Sequence, residues 1–507
     1  MSKHIRLQYS GFVVFTTQVL SVITGLVFTL LLTRNMSKDQ FGIWTNVFDY
    51  TAYFVLFSGL LPFWVTRFAA RGQKGTVKTG VLAQLLIGVI AVAVYFPVIV
   101  LISRAIGTEA YLPIYFIAGL YALTYYMITI FESVLQSVRP QAVGYGLMIE
   151  EIVKVTIALV LILGFKQLFL GAIVALTASC VVQILYYGHL LSDELKEKVN
   201  WGYLKEWLKG STAFVYSAIG GQLVAFVFIL LFVYGGADTR AYYQAAFTFT
   251  TIIGYSSSLA TALYPKLLAN SCSDKQVGES FRTVLMFAIP FAAITMVMSI
   301  SFLTVLRADY SVAWPVLIAL TVDTLVTLIY GFYTSCLMGK EAFDAEGKIS
   351  IRKLVKSKIF TVFTIPYIQA AIAVPLAYFV LTRLPVAGSV QAVLYIVAIL
   401  IGVHLSTFLG LYIFMHPSTR IPIAWKSISK YIIASIIMSS IMLLLIPPTT
   451  TLLPTIAKSI IGFAIYVGLM LAIDAQARKL VGLIWLEIKV SFKQLTSKNN
   501  NSQEKPV

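Results

Sequence analysis

The stretch LLTRNMSKDQFGIWTNVFDYTAYFVLFSGLLPFWVTRFAARG, residues 31–72, decides the fold. It predicts one apolar helix that ends at Thr33, a seven-residue polar link and a second apolar helix that begins at Phe41. A Gly-Leu-Leu-Pro break at residues 59–62 interrupts the second helix, which closes in a cationic run over residues 67–78. Two long apolar helices joined by a short link form a hairpin, and the rest of the chain repeats this pattern.

The composition places the chain in a membrane. Of its 507 residues 59% are apolar and only 12% are charged, whereas soluble domains carry about 25% charged residues. The apolar residues form continuous blocks of roughly twenty or more, and at 1.5 Å per residue a helix of that length crosses the ~30 Å hydrocarbon core. Strands of a membrane barrel would alternate instead. The predicted class is therefore an all-α polytopic membrane protein.

We predict about fourteen transmembrane helices. Their approximate bounds are 11–33, 41–66, 80–103, 111–136, 141–165, 168–191, 211–234, 240–265, 282–306, 313–338, 358–382, 388–415, 428–446 and 452–474. A weak repeat predicts two pseudo-symmetric six-helix lobes plus two C-terminal helices. The expected units are an N-terminal lobe (1–191), a cytoplasmic amphipathic linker (192–210), a C-terminal lobe (211–415), spans 13 and 14 (416–475) and a cytoplasmic amphipathic helix with a disordered tail (476–507).

Lysines and arginines concentrate in alternate loops. With both termini inside, the inner segments hold 29 of the 38 Lys and Arg residues and the outer segments hold seven, among them Arg34 and Arg240. This asymmetry is the one that membrane insertion produces. It explains the net charge of +17 without nucleic acid as a partner. The sequence thus predicts a multi-pass protein of the cell membrane, in contact with membrane lipids, whose termini are both cytoplasmic.

Asp49 lies well inside the second span, where an ionisable side chain is costly and marks a candidate functional site. Asn46, Asp49 and Tyr53 share one face of that helix at spacings of three and four residues. Since lipid would not tolerate such a polar stripe, we expect it to face a water-filled cavity. All three side chains are candidates for substrate binding, and Asp49 is also a candidate for cation coupling.

Three more charges lie close together in span 5. Lys154 follows Glu150 by four residues and Glu151 by three, so it can pair with either carboxylate. The cluster is either a structural ion pair between packed helices or a coupling site for a cation, and the residues leave both readings open. Asp323 in span 10 is a further coupling candidate, with a hydrogen-bonded packing role as the equal alternative. We expect His404 in span 12 to bond to a neighbouring helix.

Spans 7 and 8 are unusually rich in polar side chains, including Gln222 and Gln244, which predicts a cavity wall. No hydrolase, zinc-protease or nucleotide-binding motif occurs in the sequence. The three cysteines lie far apart, without metal-ligand spacing. We therefore predict a protein that is not an enzyme and has no cofactor and no metal site.

The opening hairpin resembles that of the polysaccharide flippases, a family within the multidrug/oligosaccharidyl-lipid/polysaccharide exporter superfamily. The resemblance rests on an Arg after span 1, a Phe-Gly pair, a Gly-Leu pair and a charged end, here Arg34, Phe41-Gly42, Gly59-Leu60 and Arg67. Four later stretches also resemble family segments in order and spacing: GGADTRAYYQAA (235–246), ALYPKLLA (262–269), LRADYSVAWPVLIAL (306–320) and SCLMGKE (335–341).

This resemblance implies two helical lobes that form a V and open alternately to either face. The implied cargo is a polyprenyl-linked oligosaccharide, and the implied coupling ion is H+ or Na+. Contacts with glycan-assembly proteins are also expected. Gln222 stands where many relatives have an acid, and span 1 has no internal charge. Arg34, Arg67 and Arg71 are available at the mouths to bind the diphosphate. The alternatives are a drug–cation antiporter of the same fold and a non-transport subunit of a glycan-assembly complex.

Overall fold

The chain forms an all-helical bundle. The structure, a computed structural model, describes residues 7–260, 273–340, 357–383, 388–415, 424–445, 449–475 and 477–478, and within these ranges it contains no strand. The predicted all-α class is thereby confirmed. The helix predicted in the C-terminal tail lies almost entirely outside these ranges.

Residues 7–190 form seven α-helices. They are α1 (Leu7–Asn35), α2 (Lys38–Val55), α3 (Pro62–Ala70), α4 (Thr76–Ala105), α5 (Leu112–Val138), α6 (Pro140–Ala158) and α7 (Leu168–Leu190). A 3-10 segment (Leu56–Gly59) follows α2, and a π-helical segment (Leu159–Gly164) continues α6.

The described residues from 202 onward form nine further α-helices. They are α8 (Gly202–Gly235), α9 (Ala237–Gly254), α10 (Asp274–Val297), α11 (Ser299–Leu306), α12 (Trp314–Lys340), α13 (Lys358–Arg383), α14 (Ser389–Met415), α15 (Trp425–Leu445) and α16 (Leu452–Ile473). A 3-10 segment (Tyr255–Ala260) follows α9.

Each predicted span overlaps one of these helices, alone or with a short neighbour. Within the described ranges, eleven helices are both long and apolar enough to cross a membrane. In α6 the three charges at residues 150, 151 and 154 interrupt the apolar run, and α9 carries many hydroxyl and amide side chains. These two helices are therefore too polar to be counted among the eleven, and the predicted number of about fourteen spans is approximate.

The opening hairpin is tighter than its sequence predicts. Its link comprises only Met36 and Ser37, because α2 begins at Lys38, three residues earlier than expected, and α1 ends at Asn35, two residues later than expected. Ser37 makes this start possible: its hydroxyl accepts from the Gln40 backbone N–H (3.1 Å), and the Gln40 side chain accepts from the Ser37 N–H (3.0 Å). The predicted break is confirmed, since α2 passes into the 3-10 segment and a new helix begins at Pro62.

The helices pack in two groups. Helices α1–α7 contact mainly one another and form what we call the N-terminal lobe; α8–α14 form the C-terminal lobe, with α15 and α16 against α10. Between the lobes the main contact joins α2 to α8 and α9. Helices α2 and α9 correspond to each other, since each has 18 residues and runs into a 3-10 segment. The exact domain boundaries remain a prediction.

The linker between the lobes is attached to the N-terminal lobe. Its second half is the first part of α8 rather than a separate helix. Trp207 is fully buried there, with its ring 5.6 Å from Phe68 and 5.8 Å from Tyr203. One turn later, the Ser211 hydroxyl donates to the carbonyl oxygen of Leu60. Helix α8 thus begins on one lobe and continues along α13 of the other.

Replacing Trp207 with alanine should destabilise the protein by about 3–5 kcal/mol, the usual cost of removing a large buried aromatic side chain. The neighbouring Leu208 is 42% exposed, so Leu208→Ala is the matched control and should change stability little. Thermal unfolding of the purified protein in detergent would test this. Equal melting temperatures for the two variants would contradict the buried position of Trp207.

Candidate functional site

One side of the bundle is closed by direct contacts between the lobes. We call the side where α2 and α9 begin the closed face. A Cβ atom at Gly42 of α2 would overlap the carbonyl oxygen of Ala237 in α9, so the two backbones touch there. Around this contact, the Lys38 ammonium donates to the Tyr242 hydroxyl (3.0 Å) and lies 3.8 Å from an Asp238 carboxylate oxygen.

Two arginines add reciprocal contacts at the closed face. Arg34 at the end of α1 donates from Nε and Nη2 to the carbonyl oxygen of Val305 (3.2 and 2.9 Å). Arg307, just after α11, donates to the carbonyl oxygen of Met36 (2.6 Å). Arg34, predicted as a mouth residue available for phosphate, is therefore engaged in the contact between the lobes in this conformation.

Beneath the closed face, Asp49 and Arg240 form a bidentate ion pair between the lobes. Arg240 Nε lies 2.7 Å from Asp49 Oδ2, and Nη2 lies 2.8 Å from Oδ1. The side chains are 13% and 6% exposed. Nη1 of Arg240 donates to the Gln244 side-chain oxygen (3.1 Å), and the guanidinium carbon lies 5.2 Å from the Phe228 ring centroid and 5.4 Å from that of Tyr243.

The prediction that places Arg240 in an outer loop is wrong. Arg240 lies in α9 and is 5% exposed. The reason is that α9 begins at Ala237, several residues before the apolar stretch that marks the span. The signal that could have located Arg240 is its position four residues before Gln244, which puts both side chains on one helical face.

The polar stripe of α2 does not face water as predicted. Asn46 is fully buried, and its side-chain oxygen accepts from the Tyr115 hydroxyl (3.3 Å). The Tyr53 hydroxyl donates to the backbone carbonyl of Gln222 (2.9 Å) in α8. Together with Asp49, these contacts turn the stripe toward protein, and mostly toward the opposite lobe. The junction of the lobes does bring together four of the predicted site residues: Asp49, Tyr53, Gln222 and Gln244.

A cavity of about 1030 Å³ lies below this junction. Helices α8, α9, α10, α12 and α14 of the C-terminal lobe supply its described lining. Phe228 and Tyr243, which contact Arg240, lie at one end, and Tyr255, at the far end of α9, lies at the other and is 51% exposed. The ion pair therefore marks the closed end of a cavity that extends toward the opposite face.

The cavity wall combines aromatic rings, hydroxyl groups and one hydrogen-bonded histidine–aspartate pair. Its polar members include Thr250, Thr251, Ser257, Thr324, Thr327, Ser335, Asp323 and His404, and its rings are Phe228, Tyr243, Phe247, Tyr255 and Phe332. Nδ1 of His404 lies 2.7 Å from Asp323 Oδ1 and 3.4 Å from the Thr327 hydroxyl. His404, as expected, bonds to a neighbouring helix, and its partner is the coupling candidate Asp323.

The remaining coupling candidates lie inside the N-terminal lobe. Nζ of Lys154 lies 2.7 Å from Glu151 and 3.4 Å from Glu150, so it contacts both carboxylates. Ser21 (2.6 Å) and Thr24 (2.5 Å) of α1 donate to Glu151. This cluster joins α6 to α1, and it is separate from the cavity lining described above.

Three further charged side chains, those of Glu132, Arg67 and Arg71, lie outside the described cavity lining. Glu132, near the C-terminal end of α5, accepts from Gln183 (3.3 Å) and Tyr187 (3.2 Å) of α7. Arg67 lies over the Phe63 ring (4.3 Å) near the end of α3, and Arg71 follows at the exposed end of that helix. These two arginines are thus on the face opposite Arg34.

The helical fold, with eleven described helices long and apolar enough to cross a membrane, defines the protein by class as a polytopic α-helical membrane protein. Residues 9–270, just over half of the chain, match the model of a family described as polysaccharide biosynthesis protein. The chain belongs to this family, and the resemblance to polysaccharide flippases is confirmed at that level. A comparison with curated protein sequences gives no match.

Solved structures share the fold. An inward-facing multidrug resistance MATE family transporter of the MOP superfamily has 13% identity and a TM-score of 0.59, covering 78% of this chain and 94% of its own. The lipid II flippase MurJ, in an inward closed conformation, has 15% identity and a TM-score of 0.58, covering 93% and 100%. An outward-facing MATE transporter follows with 14% identity, a TM-score of 0.51 and coverage of 82% and 96%. At these identities the similarity establishes the fold alone.

Proposed function

We propose that the protein is a flippase that moves polyprenyl phosphate- or diphosphate-linked oligosaccharide units across the cell membrane. The observation that carries this proposal is the ~1030 Å³ cavity closed at one end by the contact of α2 with α9. A saccharide head group needs such a hydroxyl- and ring-lined passage, while its polyprenyl chain stays in the lipid. Family membership supports the saccharide as cargo, and the proposed role is transport rather than catalysis.

Alternating access requires the closed face to open and the opposite face to close. In the proposed cycle the Asp49–Arg240 ion pair breaks as α2 and α9 separate. Asn46, Tyr53, Gln222 and Gln244 then become accessible to the head group. Because opening exposes the guanidinium of Arg240, this residue joins them as a candidate for contact with substrate.

The diphosphate of the substrate would first meet Arg67 and Arg71 on the open side. Arg71 is exposed at the end of α3, and Arg67 lies one turn earlier on the same helix, over the Phe63 ring. Arg34 would bind phosphate only after the closed face has opened, since its guanidinium now donates to Val305. With this orientation the closed face is extracytoplasmic and both termini are cytoplasmic, in agreement with the distribution of Lys and Arg.

The function is tested by reconstitution. We expect purified protein in proteoliposomes to move a fluorescent polyprenyl-diphosphate oligosaccharide between leaflets, measured by its accessibility to a membrane-impermeant quencher. Protein-free vesicles and vesicles that contain an unrelated polytopic protein are the controls. No movement above these controls, with several saccharides and with imposed H+ and Na+ gradients, would contradict the proposal.

Coupling to H+ or Na+ is proposed for the buried carboxylates Asp49, Glu150, Glu151 and Asp323, with Lys154 as the counter-ion of the Glu150 and Glu151 pair. We expect Glu150→Gln to slow gradient-driven flipping by at least about tenfold without reducing membrane insertion. Glu109→Gln is the matched control, because Glu109 forms an exposed ion pair with Arg104. Unchanged acceleration by the gradient in Glu150→Gln would remove this residue from the coupling site.

A second candidate function is export of lipophilic cations. The observation that favours it is the aromatic lining of the cavity beside the Asp323 carboxylate, since rings and an acid also bind organic cations. Efflux of a fluorescent cationic dye from cells would distinguish the two functions. Dye efflux without any saccharide flipping would favour the exporter.

A further inference from the structure

The charges that line the cavity restrict which saccharides it can accept. Among the described lining residues there is no lysine or arginine; the ionisable side chains other than tyrosine are Asp323 and His404. The buried cation Arg240 contacts the lining rings of Phe228 and Tyr243 at the closed end, and both oxygens of the Asp49 carboxylate already neutralise it. The described part of the wall therefore offers no unpaired lysine or arginine to an anionic sugar.

A carboxylate on the saccharide would be costly inside this cavity. Leaving water without a cationic partner penalises an anion strongly, and the Asp323 carboxylate, with a side chain only 12% exposed and bonded to His404, provides no such partner. Hydroxyl groups meet a different environment. Threonines on α9 and α12 line the space beside aromatic rings, and these suit the hydroxyls and the apolar C–H faces of an uncharged sugar.

We infer that the cavity selects saccharide units that are uncharged or carry an amino group, and that it rejects units bearing carboxylates. The inference rests on the proposed flippase function, since it names the glycan class that this same cavity would take. The diphosphate does not enter into the selection, because it is common to all such lipids and is proposed to bind at the mouth, near Arg67 and Arg71.

The test compares two polyprenyl-diphosphate trisaccharides that differ at one position, glucose in one and glucuronate in the other. In proteoliposomes we expect the wild-type protein to flip the glucuronate lipid at least about tenfold more slowly, the factor that corresponds to ~1.4 kcal/mol. Equal rates would overturn the inference while leaving the proposed function intact. If neither lipid moves, the proposed function fails and the inference fails with it.

A charge introduced into the wall gives the converse result. Thr327 lies beside His404 in the lining, so Thr327→Lys should raise the rate for the glucuronate lipid relative to the glucose lipid by about tenfold. Thr451→Lys is the matched control, because Thr451 is exposed at the start of α16, outside the cavity lining. An unchanged ratio in a Thr327→Lys protein that still flips the glucose lipid would count against the inference. If that variant does not fold, the wild-type comparison decides.

Discussion

Substituting Arg240 by methionine is expected to abolish flipping and to destabilise the protein by about 3–5 kcal/mol. The change removes the cation and leaves the Asp49 carboxylate buried against α9, and breaking one half of a buried ion pair has this typical cost. Asp49→Leu should have a similar effect for the converse reason, since Arg240 is almost entirely buried. Asp49→Asn is the milder change and should stop transport without preventing membrane insertion.

The double variant Asp49→Leu with Arg240→Met separates stability from function. Replacing both members of a buried pair by apolar side chains is often neutral or stabilising, so its melting temperature should return to near that of the wild type. We nevertheless expect no flipping. The junction of the lobes would then be apolar, without the ion pair whose two members water or substrate can solvate when α2 and α9 separate. A double variant that flips at the normal rate would assign the pair a structural role only.

The exposed pair of Arg104 and Glu109 is the control for these measurements. Its side chains are 66% and 59% exposed, and exposed pairs contribute about 0–1 kcal/mol. Arg104→Met should therefore change neither the melting temperature nor the flipping rate appreciably. A loss comparable to that in Arg240→Met would mean that burial does not distinguish the two pairs.

Replacing Gly42 with alanine is expected to prevent the closed face from closing and thereby stop flipping. The new methyl group would overlap the Ala237 carbonyl oxygen, and a backbone atom cannot rotate away as a flexible side chain can. Overpacking typically costs about 1–3 kcal/mol, which corresponds to a shift of roughly five- to 150-fold away from the closed conformation.

Thiol labelling can detect this shift. Met36 is 1% exposed at the closed face, so Met36→Cys should react slowly with a membrane-impermeant maleimide in the parent protein and quickly when Gly42→Ala is added. Gly25→Ala is the matched control, since a Cβ at Gly25 of α1 meets no atom within 4 Å. Slow labelling in the Gly42→Ala background would contradict the proposed close contact.

The sequence predicts the elements of this fold better than it predicts their partners. The apolar blocks and the Pro62 break identify the spans, because hydropathy and backbone chemistry are local properties. Helical periodicity also groups Asn46, Asp49 and Tyr53 correctly on one face. Periodicity does not identify the residues that pack against that face. The prediction that the stripe faces water is therefore wrong, since the stripe packs against protein.

Arg240 illustrates the same limit from the other side. The ends of a membrane helix and the adjoining loop have similar compositions, so a cation near a span end is assigned to the loop. Only tertiary packing brings it to Asp49, 191 positions away in the chain. The position of the cavity depends on packing in the same way, since its lining residues are spread along the chain from Val224 to His404.

In the proposed cycle, lipid-linked saccharide crosses the membrane only when the closed face opens. Lys38→Cys and Asp238→Cys, placed where the native side chains approach to 3.8 Å, allow a cleavable bifunctional thiol reagent to join the lobes there. Cys180, Cys272 and Cys336 are first replaced by serine or alanine. Crosslinking should stop flipping of a polyprenyl-diphosphate oligosaccharide, and cleavage of the crosslink should restore it. Flipping at an undiminished rate with the crosslink complete would contradict the proposed opening of the closed face.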